Sequence, residues 1–323
     1  MLNLVPPNYF KILNMNQTNN VFIITLSIIV LGFLLKKYNF ITEKEGKTIS
    51  KFLMYTTFPA LMIITTAKVK LDSSLLLIPV FAIILGSTML IIAWIWFSNY
   101  EKKLRGVLTM GVGGFNSGLF GFPIIEGLFG KQAMVYAIMF DIGNTFIVFG
   151  AIYSIGSYFS ANKKEQTGIK PIFKKVLSLP PVLGILFGLL INVSHIELPI
   201  IFFDFLEVLA IGNKPLVLLL MGIYLSFDLN KKLMLAISKV LIIRVSIGII
   251  AVIGLYFLIS DNQSLMKNVL MICSLLPIGL TILPFSDELG YDSRIAGTLL
   301  NISLLVSFIL MWGLVVLLEG GYL

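Results

Sequence analysis

The length of its uninterrupted apolar runs constrains this chain more than any other feature. Leu75–Phe97 contains no Asp, Glu, Lys or Arg. A helix needs about 20 apolar residues to cross the hydrocarbon core of a bilayer, so this run predicts a membrane span. The run ends among Trp94, Trp96 and Tyr100, and such rings are typical of the interfacial aromatic belt.

Nine further runs meet the same test, and together they predict an all-α polytopic membrane protein with ten spans. The predicted spans are Val21–Leu35, Ile49–Ala67, Leu75–Phe97, Leu104–Phe129, Ala133–Phe159, Val176–Val193, Pro199–Phe227, Leu233–Ile259, Met266–Phe285 and Ile295–Leu318.

Composition excludes the soluble classes. Hydrophobic residues make up 58% of the chain and charged residues 12%, against about 25% charged in a soluble globular protein. A soluble enzyme is therefore excluded, and so is a nucleic-acid partner despite the net charge of +8. The chain has one cysteine, Cys273, and one histidine, His195. We therefore expect no internal disulfide, no metal centre and no cofactor.

Basic residues fall in alternate loops and so predict the orientation. The loops after the first, third, fifth, seventh and ninth spans carry most of them, from Lys36 in the first to Arg294 in the last. By the positive-inside rule these loops are cytoplasmic. We expect a multi-pass protein of the cell membrane with both termini outside. Residues 1–20 form an external segment, the first span stays as an uncleaved anchor, and residues 160–175 form a cytoplasmic loop.

That loop divides the chain into two halves that resemble each other. Gly32 and Gly188, Pro59 and Pro215, and Asp72 and Asp228 are all 156 positions apart. The alternative is chance similarity between apolar helices. If the repeat is real, residues 21–159 and 176–323 each hold five spans. An odd number of spans inverts the second copy, as in many secondary transporters, whose substrates bind between the repeats.

The fourth span contains a glycine-rich stretch that predicts a break. Gly111–Pro123 holds five glycines, a proline, Asn116 and Ser117. Proline lacks the amide donor that a helix needs, and open backbone inside a membrane is tolerated only where protein or a cavity surrounds it. Close helix packing through Gly114 and Gly118 is the alternative interpretation.

The ninth span contains a second interrupted stretch in the corresponding place. Pro277 and Pro284 flank Gly279 and Thr281. Matching interruptions in two halves point to a transporter's binding site. Each break frees amide groups that favour an anion, while freed carbonyl groups can hold a cation or a substrate donor. Asn116, Ser117 and Thr281 add polar side chains.

These two stretches resemble the crossover motifs of the auxin efflux carrier family, which includes plant auxin exporters and bacterial permeases for malate and malonate. Asn116-Ser117-Gly118-Leu119-Phe120-Gly121-Phe122-Pro123, followed by Phe129-Gly130, is similar to the family's fourth-span motif. Leu276-Pro277-Ile278-Gly279 with Glu288-Leu289-Gly290-Tyr291-Asp292 is similar to its ninth-span motif. Pro59 and Pro215 resemble the prolines of its second and seventh spans.

The resemblance implies two inverted five-helix repeats with broken, crossing helices 4 and 9. Helices 1, 2, 6 and 7 would form a scaffold, and helices 3–5 and 8–10 a mobile transport domain. Crossover asparagines of the family hold a substrate carboxylate, a role that Asn116 inherits. Some members have a polar residue where this chain has Ile278, which leaves the substrate open. The candidate substrate-binding residues are Asn116, Ser117, Gly118, Pro123, Asn144, Asn213, Pro277, Gly279 and Thr281.

Ionisable residues within spans are costly and are candidates for coupling. Asp141 lies three residues before Asn144, on the same helical face, and either couples an ion or caps the crossover. Glu126 is either structural or functional. Arg244 either meets an anionic substrate, pairs with Asp228 or snorkels, with its stem in the apolar region and its charged end toward the interface. The coupling ion, H⁺ or Na⁺, stays open.

Three function classes fit a polytopic protein. A secondary transporter for a small organic anion such as a mono- or dicarboxylate, working by an elevator-like alternating-access cycle, fits the broken helices best. A channel that uses the same broken helices is the alternative. An intramembrane enzyme would need a nucleophile with a base or a metal cluster, which the sequence does not offer. The expected partners are the bilayer, the organic anion and, as one candidate assembly, a homodimer.

Overall fold

The computed structural model describes residues 15–67, 73–160, 177–194, 198–225 and 234–319. Within these ranges the regular structure is helical, apart from one isolated β-bridge. The helices are α1 (Met15–Lys37), α2 (Glu43–Tyr55), α3 (Thr57–Ala67), α4 (Ser73–Trp96), α5 (Lys102–Gly113), α6 (Phe122–Phe129), α7 (Met134–Phe146), α8 (Tyr153–Phe159), α9 (Pro180–Ser194), α10 (Ile200–Tyr224), α11 (Met234–Leu258), α12 (Ser264–Ser274), α13 (Ile282–Leu289) and α14 (Ser293–Glu319).

Seven helical stretches of the described ranges are long and apolar enough to cross a membrane. They are Asn19–Lys37, Glu43–Ala67, Leu75–Trp96, Lys131–Phe159, Ile200–Tyr224, Met234–Leu258 and Arg294–Glu319. Each overlaps one of the predicted spans. The predicted sixth span is a shorter helix, α9, and the fourth and ninth are each divided into two helices. The fold is therefore an all-helical, multi-pass membrane architecture.

The second predicted span is longer than expected and is interrupted near its middle. It begins at Glu43, where the Thr42 hydroxyl accepts from the Glu45 amide in a reciprocal capping box. It is interrupted at Thr56, between α2 and α3. Pro59 follows three residues later, and a proline ring clashes with the carbonyl group four residues before it, here that of Tyr55.

The fourth and ninth predicted spans are broken in the same way. In the first break, residues 114–116 leave the helical conformation, and a wide π-type turn, Ser117–Gly121, leads into α6. In the second break, residues 275–281 separate α12 from α13. Both second half-helices, α6 and α13, have eight residues. Each ends at a glycine with positive φ, Gly130 at 77° and Gly290 at 74°, a conformation that glycine adopts without steric cost.

The helices pack in two sets. The side bundle consists of α1, α2, α3, α9 and α10, in which α1 packs on α10 and α9 on α3. The crossover bundle consists of α4 to α8 and α11 to α14, in which α4 packs on α5 and α7, and α11 on α5 and α12. The bundles meet where α1 and α10 lie against α6, and where α10 also contacts the wide turn before it. They also meet where α1 lies against α14, with Phe22 stacked on Trp312, and where α3 lies against α7.

One close contact between a glycine and a facing backbone recurs inside the side bundle, at positions shifted by 156 residues. A side-chain carbon added to Gly32 on α1 would lie 2.1 Å from the carbonyl oxygen of Leu219 on α10. A carbon added to Gly188 on α9 would lie 2.8 Å from the carbonyl oxygen of Ile63 on α3. Both residues of the first contact map onto the second with the same offset, and in both places the missing side chain lets two backbones approach closely.

A neighbouring contact repeats with that offset. A carbon added to Gly222 would lie 1.9 Å from the carbonyl oxygen of Ile29. At the corresponding positions, the Thr66 hydroxyl lies 3.4 Å from the carbonyl oxygen of Ile185. Asp72, Asp228, His195 and most of the predicted cytoplasmic loop lie outside the described residues.

Candidate functional site

The two breaks lie directly against each other. The backbone N–H of Asn116 donates to the carbonyl oxygen of Pro277 over 2.9 Å, and Phe115 and Ile278 form an antiparallel β-bridge. The backbone that each helix leaves unpaired at its break is therefore partly satisfied by the other break, as burial requires. We call residues 114–121 together with residues 275–281 the crossover.

Asn144 on α7 holds the first break open. Its Oδ1 accepts the N–H of Phe115 over 3.0 Å, and its Nδ2 donates to the carbonyl oxygen of Phe115 over 2.9 Å. A carboxamide thus pairs with both polar groups of one residue, as a neighbouring strand would. The Nδ2 atom also lies 3.0 Å from Asp141 Oδ1 and 3.4 Å from Ser117 Oγ. Asn144 therefore connects the Asp141 carboxylate to the crossover.

Ser303 on α14 supports the second break in a corresponding way. Its hydroxyl oxygen accepts the N–H of Ile278 over 3.1 Å and donates to the carbonyl oxygen of Leu300 over 2.8 Å. The two bridge residues, Phe115 and Ile278, are thus each held by one polar side chain from a neighbouring helix. Sequence reasoning missed Ser303, whose only signal was a polar residue within an apolar span.

Arg244 on α11 contacts both breaks. Its Nη1 donates to the carbonyl oxygens of Val112 over 2.5 Å and Gly114 over 2.9 Å, and its Nη2 donates to that of Leu276 over 2.8 Å. Its guanidinium carbon lies 5.0 Å from the centre of the Phe115 ring. Arg244 is 6% exposed. The alternative partner, Asp228, lies outside the described residues, so that pairing stays an expectation.

Two buried carboxamides carry donors that no described residue uses. Asn116 in the first break is 5% exposed and Asn213 on α10 is 4% exposed. The Nδ2 atom of each has no hydrogen-bond partner among the described residues. A buried N–H group without a partner costs about 1–3 kcal/mol, and such groups in a native fold call for an explanation. Both donors are candidates for contact with a ligand.

Lys214 follows Asn213 and faces the crossover bundle. Its Nζ lies 3.0 Å from the point where a side chain on Gly127 would begin, so the absence of a side chain at Gly127 leaves room for the ammonium group. Lys214 is partly exposed, and no carboxylate of the described residues pairs with it. A neighbouring lysine, Lys131, forms an exposed ion pair with Glu207 on α10.

Of the remaining candidates, four belong to the crossover and Pro123 follows it closely. Gly118 lies on the wide turn, where an added carbon would contact the ring of Phe58 at 3.4 Å. Pro123 is the second residue of α6, beyond the break itself. Pro277 and Gly279 are buried within the second break, and Thr281 precedes α13.

Glu126 lies on α6 and is partly exposed. Among the described residues it forms no ion pair. No group of three or more His, Cys, Asp or Glu side chains in the described ranges could hold a metal ion.

Two helices broken at facing positions, with buried polar groups at the crossing, are the architecture of a membrane transport protein. The chain matches the model of a family described as membrane transport protein over residues 19–315. It belongs to this family, the auxin efflux carrier type of transporter.

Two archaeal relatives carry the name uncharacterized transporter. The protein from Methanothermobacter thermautotrophicus is 27% identical over 211 residues, which cover 62% of this chain and 66% of that protein. The protein from Methanocaldococcus jannaschii is 25% identical over 325 residues, which cover 92% of this chain and 98% of that protein.

Proposed function

We propose that this protein is a secondary transporter that moves a small organic anion, a mono- or dicarboxylate, across the cell membrane. The observation that carries the proposal is the unpartnered Nδ2 donor of Asn116, buried where the two broken helices cross. A carboxylate oxygen can accept a hydrogen bond from this donor. Because the acceptor is charged, such a hydrogen bond is stronger than one between neutral groups.

The proposed binding site has two sides. On the crossover side, Asn116 donates to the carboxylate, the hydroxyl groups of Ser117 and Thr281 contact other polar atoms, and Gly118, Pro123, Pro277 and Gly279 shape the surface. On the side-bundle side, Asn213 supplies a second carboxamide donor and Lys214 a positive charge. Asn144 takes part by holding Phe115 and Ser117 in place, because its amide already contacts both residues.

The proposed architecture has ten membrane-spanning segments in two inverted repeats of residues 21–159 and 176–323. The recurrence of the Gly32–Leu219 contact as Gly188–Ile63 supports this arrangement, because a twofold axis between the repeats would generate one contact from the other. The matching lengths of α6 and α13, and their terminal glycines, are further support.

The proposed cycle moves the crossover bundle against the side bundle, in an elevator-like form of alternating access. The side bundle contains helices of the predicted spans 1, 2, 6 and 7, and the crossover bundle those of spans 3–5 and 8–10. Sparse packing between the bundles, mainly through α1 and α10, supports such a movement, whereas each bundle is densely packed within itself.

Asp141 is the proposed coupling residue, and protons are the proposed coupling ion. Its carboxylate accepts from Asn144, which binds the backbone of the first break. A change of protonation at Asp141 would therefore act on the geometry at Asn116 through one intervening side chain. Glu126 on α6 is a second, more peripheral candidate.

Both termini are proposed to lie outside the cell, and a homodimer is the proposed assembly. A transport function without catalysis fits the family and the absence of a nucleophile–base pair in the sequence. The proposed orientation rests on the distribution of basic residues among the loops, and the absence of catalysis on the family.

The test is uptake and counterflow in proteoliposomes. The purified protein is reconstituted and offered a panel of radiolabelled mono- and dicarboxylates, with and without a pH gradient. Saturable uptake that is accelerated by unlabelled substrate on the opposite side supports a transporter. A rate of flux far above that of a transporter cycle, without counterflow, would indicate a channel instead.

A further inference from the structure

Among the described residues, the hydrogen-bond partners of Arg244 are all carbonyl groups. Its three hydrogen bonds reach Val112 and Gly114 at the first break and Leu276 at the second, over 2.5, 2.9 and 2.8 Å. No carboxylate of the described residues forms an ion pair with it. A buried charge normally needs a partner of opposite charge, whereas here oxygen dipoles from two separate segments surround a cation.

Carbonyl oxygens released by broken helices are the groups with which many transporters coordinate a sodium ion. Such an ion compensates the partial negative charge at the end of the first half-helix and joins the two segments. The guanidinium group of Arg244 meets both requirements. It presents several N–H donors in a rigid plane, it bridges the two breaks, and it stays with the protein throughout the cycle.

We infer that Arg244 occupies the place of a bound cation at the crossover, so that the site is assembled without sodium. Arg244 is thus a positioning residue. It holds the two breaks in place and contributes a fixed positive charge next to the ring of Phe115, the residue that precedes Asn116. This deepens the proposed function, since it makes anion transport independent of a sodium gradient and leaves Asp141 as the group available for coupling.

The three-dimensional surroundings of Arg244 make this inference testable by substitution. A narrow cleft beside it is lined by the side chains of Ser274 and Ser303 and by Leu276. Removing the long side chain in Arg244→Ala would leave a space bordered by three carbonyl oxygens. Arg244→Met removes the same charge but fills much of the same space with a flexible apolar side chain, so it serves as the matched control.

The experiment measures the thermal unfolding of the purified full-length protein in lipid nanodiscs. Wild type, Arg244→Ala and Arg244→Met are compared in choline chloride, sodium chloride and guanidinium chloride at equal ionic strength, far below denaturing concentrations. We expect wild type to have the same Tm in sodium and choline. Arg244→Ala should have a lower Tm than wild type, and sodium or guanidinium should raise it saturably by several degrees. Arg244→Met should also have a lower Tm than wild type, which neither cation raises.

A saturable rise of the wild-type Tm with sodium would overturn the inference, because it would reveal a sodium site that Arg244 does not replace. So would an Arg244→Ala protein that responds to neither cation, or an Arg244→Met protein that responds equally. If Arg244→Ala cannot be isolated, substrate uptake by wild type and by Arg244→Lys is measured with and without sodium. The inference is supported if wild-type uptake does not depend on sodium and if Arg244→Lys shows reduced uptake that sodium does not alter. Sodium-dependent uptake by wild type overturns it. The unfolding measurements need no substrate, so their failure is distinct from a failure of the proposed anion transport.

Discussion

The backbone N–H of Asn116 donates to the carbonyl oxygen of Pro277 across 2.9 Å, although the two residues belong to different halves of the chain. This bond uses the main chain of Asn116, and its side-chain Nδ2 is buried without a partner among the described residues. The main chain of Asn116 therefore joins the two breaks, whereas its side chain is available to a ligand.

Asn116 and Asn144 should respond to substitution in opposite ways. Asn116→Ala removes an unpartnered donor, so the Tm of the protein should stay the same or rise slightly. Asn144→Ala leaves the N–H and C=O groups of Phe115 unpaired, each worth about 1–3 kcal/mol when buried, so its Tm should fall by several degrees. Thermal unfolding in nanodiscs measures both. Equal destabilisation by the two substitutions would show that Asn116 supports the fold rather than a ligand.

Asp141→Asn should remove the dependence of uptake on a pH gradient. The substituted amide keeps an oxygen that can accept from Asn144 Nδ2, so the contact at 3.0 Å can persist while the titratable group is lost. We expect uptake by wild type to change with an imposed gradient and uptake by Asp141→Asn to be insensitive to it. Asp204→Asn, which removes an exposed carboxylate of α10, is the matched control for loss of a carboxylate. If the pH gradient changed uptake by Asp141→Asn as much as uptake by wild type, a residue other than Asp141 would be responsible for coupling.

Lys214→Gln should weaken substrate binding more than it slows turnover. The ammonium group has no carboxylate partner among the described residues, so its charge is available to an anion. We expect a rise in KM of about 5- to 10-fold, which corresponds to about 1–1.4 kcal/mol, with kcat nearly unchanged. Lys131→Gln, which removes an exposed lysine that Glu207 already pairs, should leave KM near its wild-type value. A rise in KM of the same size in both variants would show that Lys214 acts only through the overall positive charge and does not contact the substrate.

A disulfide between the two bundles should stop the cycle. A side-chain carbon at Gly127 on α6 would lie 2.8 Å from Val21 Cγ1 on α1, close enough for a cystine between Val21→Cys and Gly127→Cys. Oxidation should block uptake and reduction should restore it. The control pair, Gly46→Cys and Ile223→Cys, has a comparable separation of 3.0 Å but lies within the side bundle, and its oxidation should leave uptake intact. Full uptake by the oxidised Val21–Gly127 pair would exclude a relative movement of the bundles at this contact.

Much of the fold could be predicted from local sequence. Apolar length predicts spans because a bilayer has a fixed thickness, and the glycine and proline residues of Gly111–Pro123 and Pro277–Pro284 predict breaks because they weaken helices locally. Local sequence does not fix the position of the first break. Pro123 lies in the first turn of the second half-helix, whereas the chain leaves the helix at Gly114, where Arg244 and Asn144 hold the released backbone.

The contacts that organise the site depend on tertiary structure. The sequence shows Arg244 as a charge within an apolar span, for which a substrate or Asp228 were reasonable partners. Its three carbonyl acceptors lie 32, 130 and 132 residues away along the chain, a separation at which no periodicity applies. Asn144 could be placed beside Asp141 by helical spacing, but its pairing with Phe115 depends on how α7 packs on the crossover.

Binding of an organic anion at Asn116, where the two breaks cross, is open to a direct test. The test measures counterflow of a labelled carboxylate by proteoliposomes that contain wild type or Asn116→Ala. We expect saturable exchange by wild type and a loss of at least 100-fold in Asn116→Ala, about 2.7 kcal/mol, at unchanged Tm and reconstitution yield. Undiminished exchange by Asn116→Ala would show that the anion does not bind there.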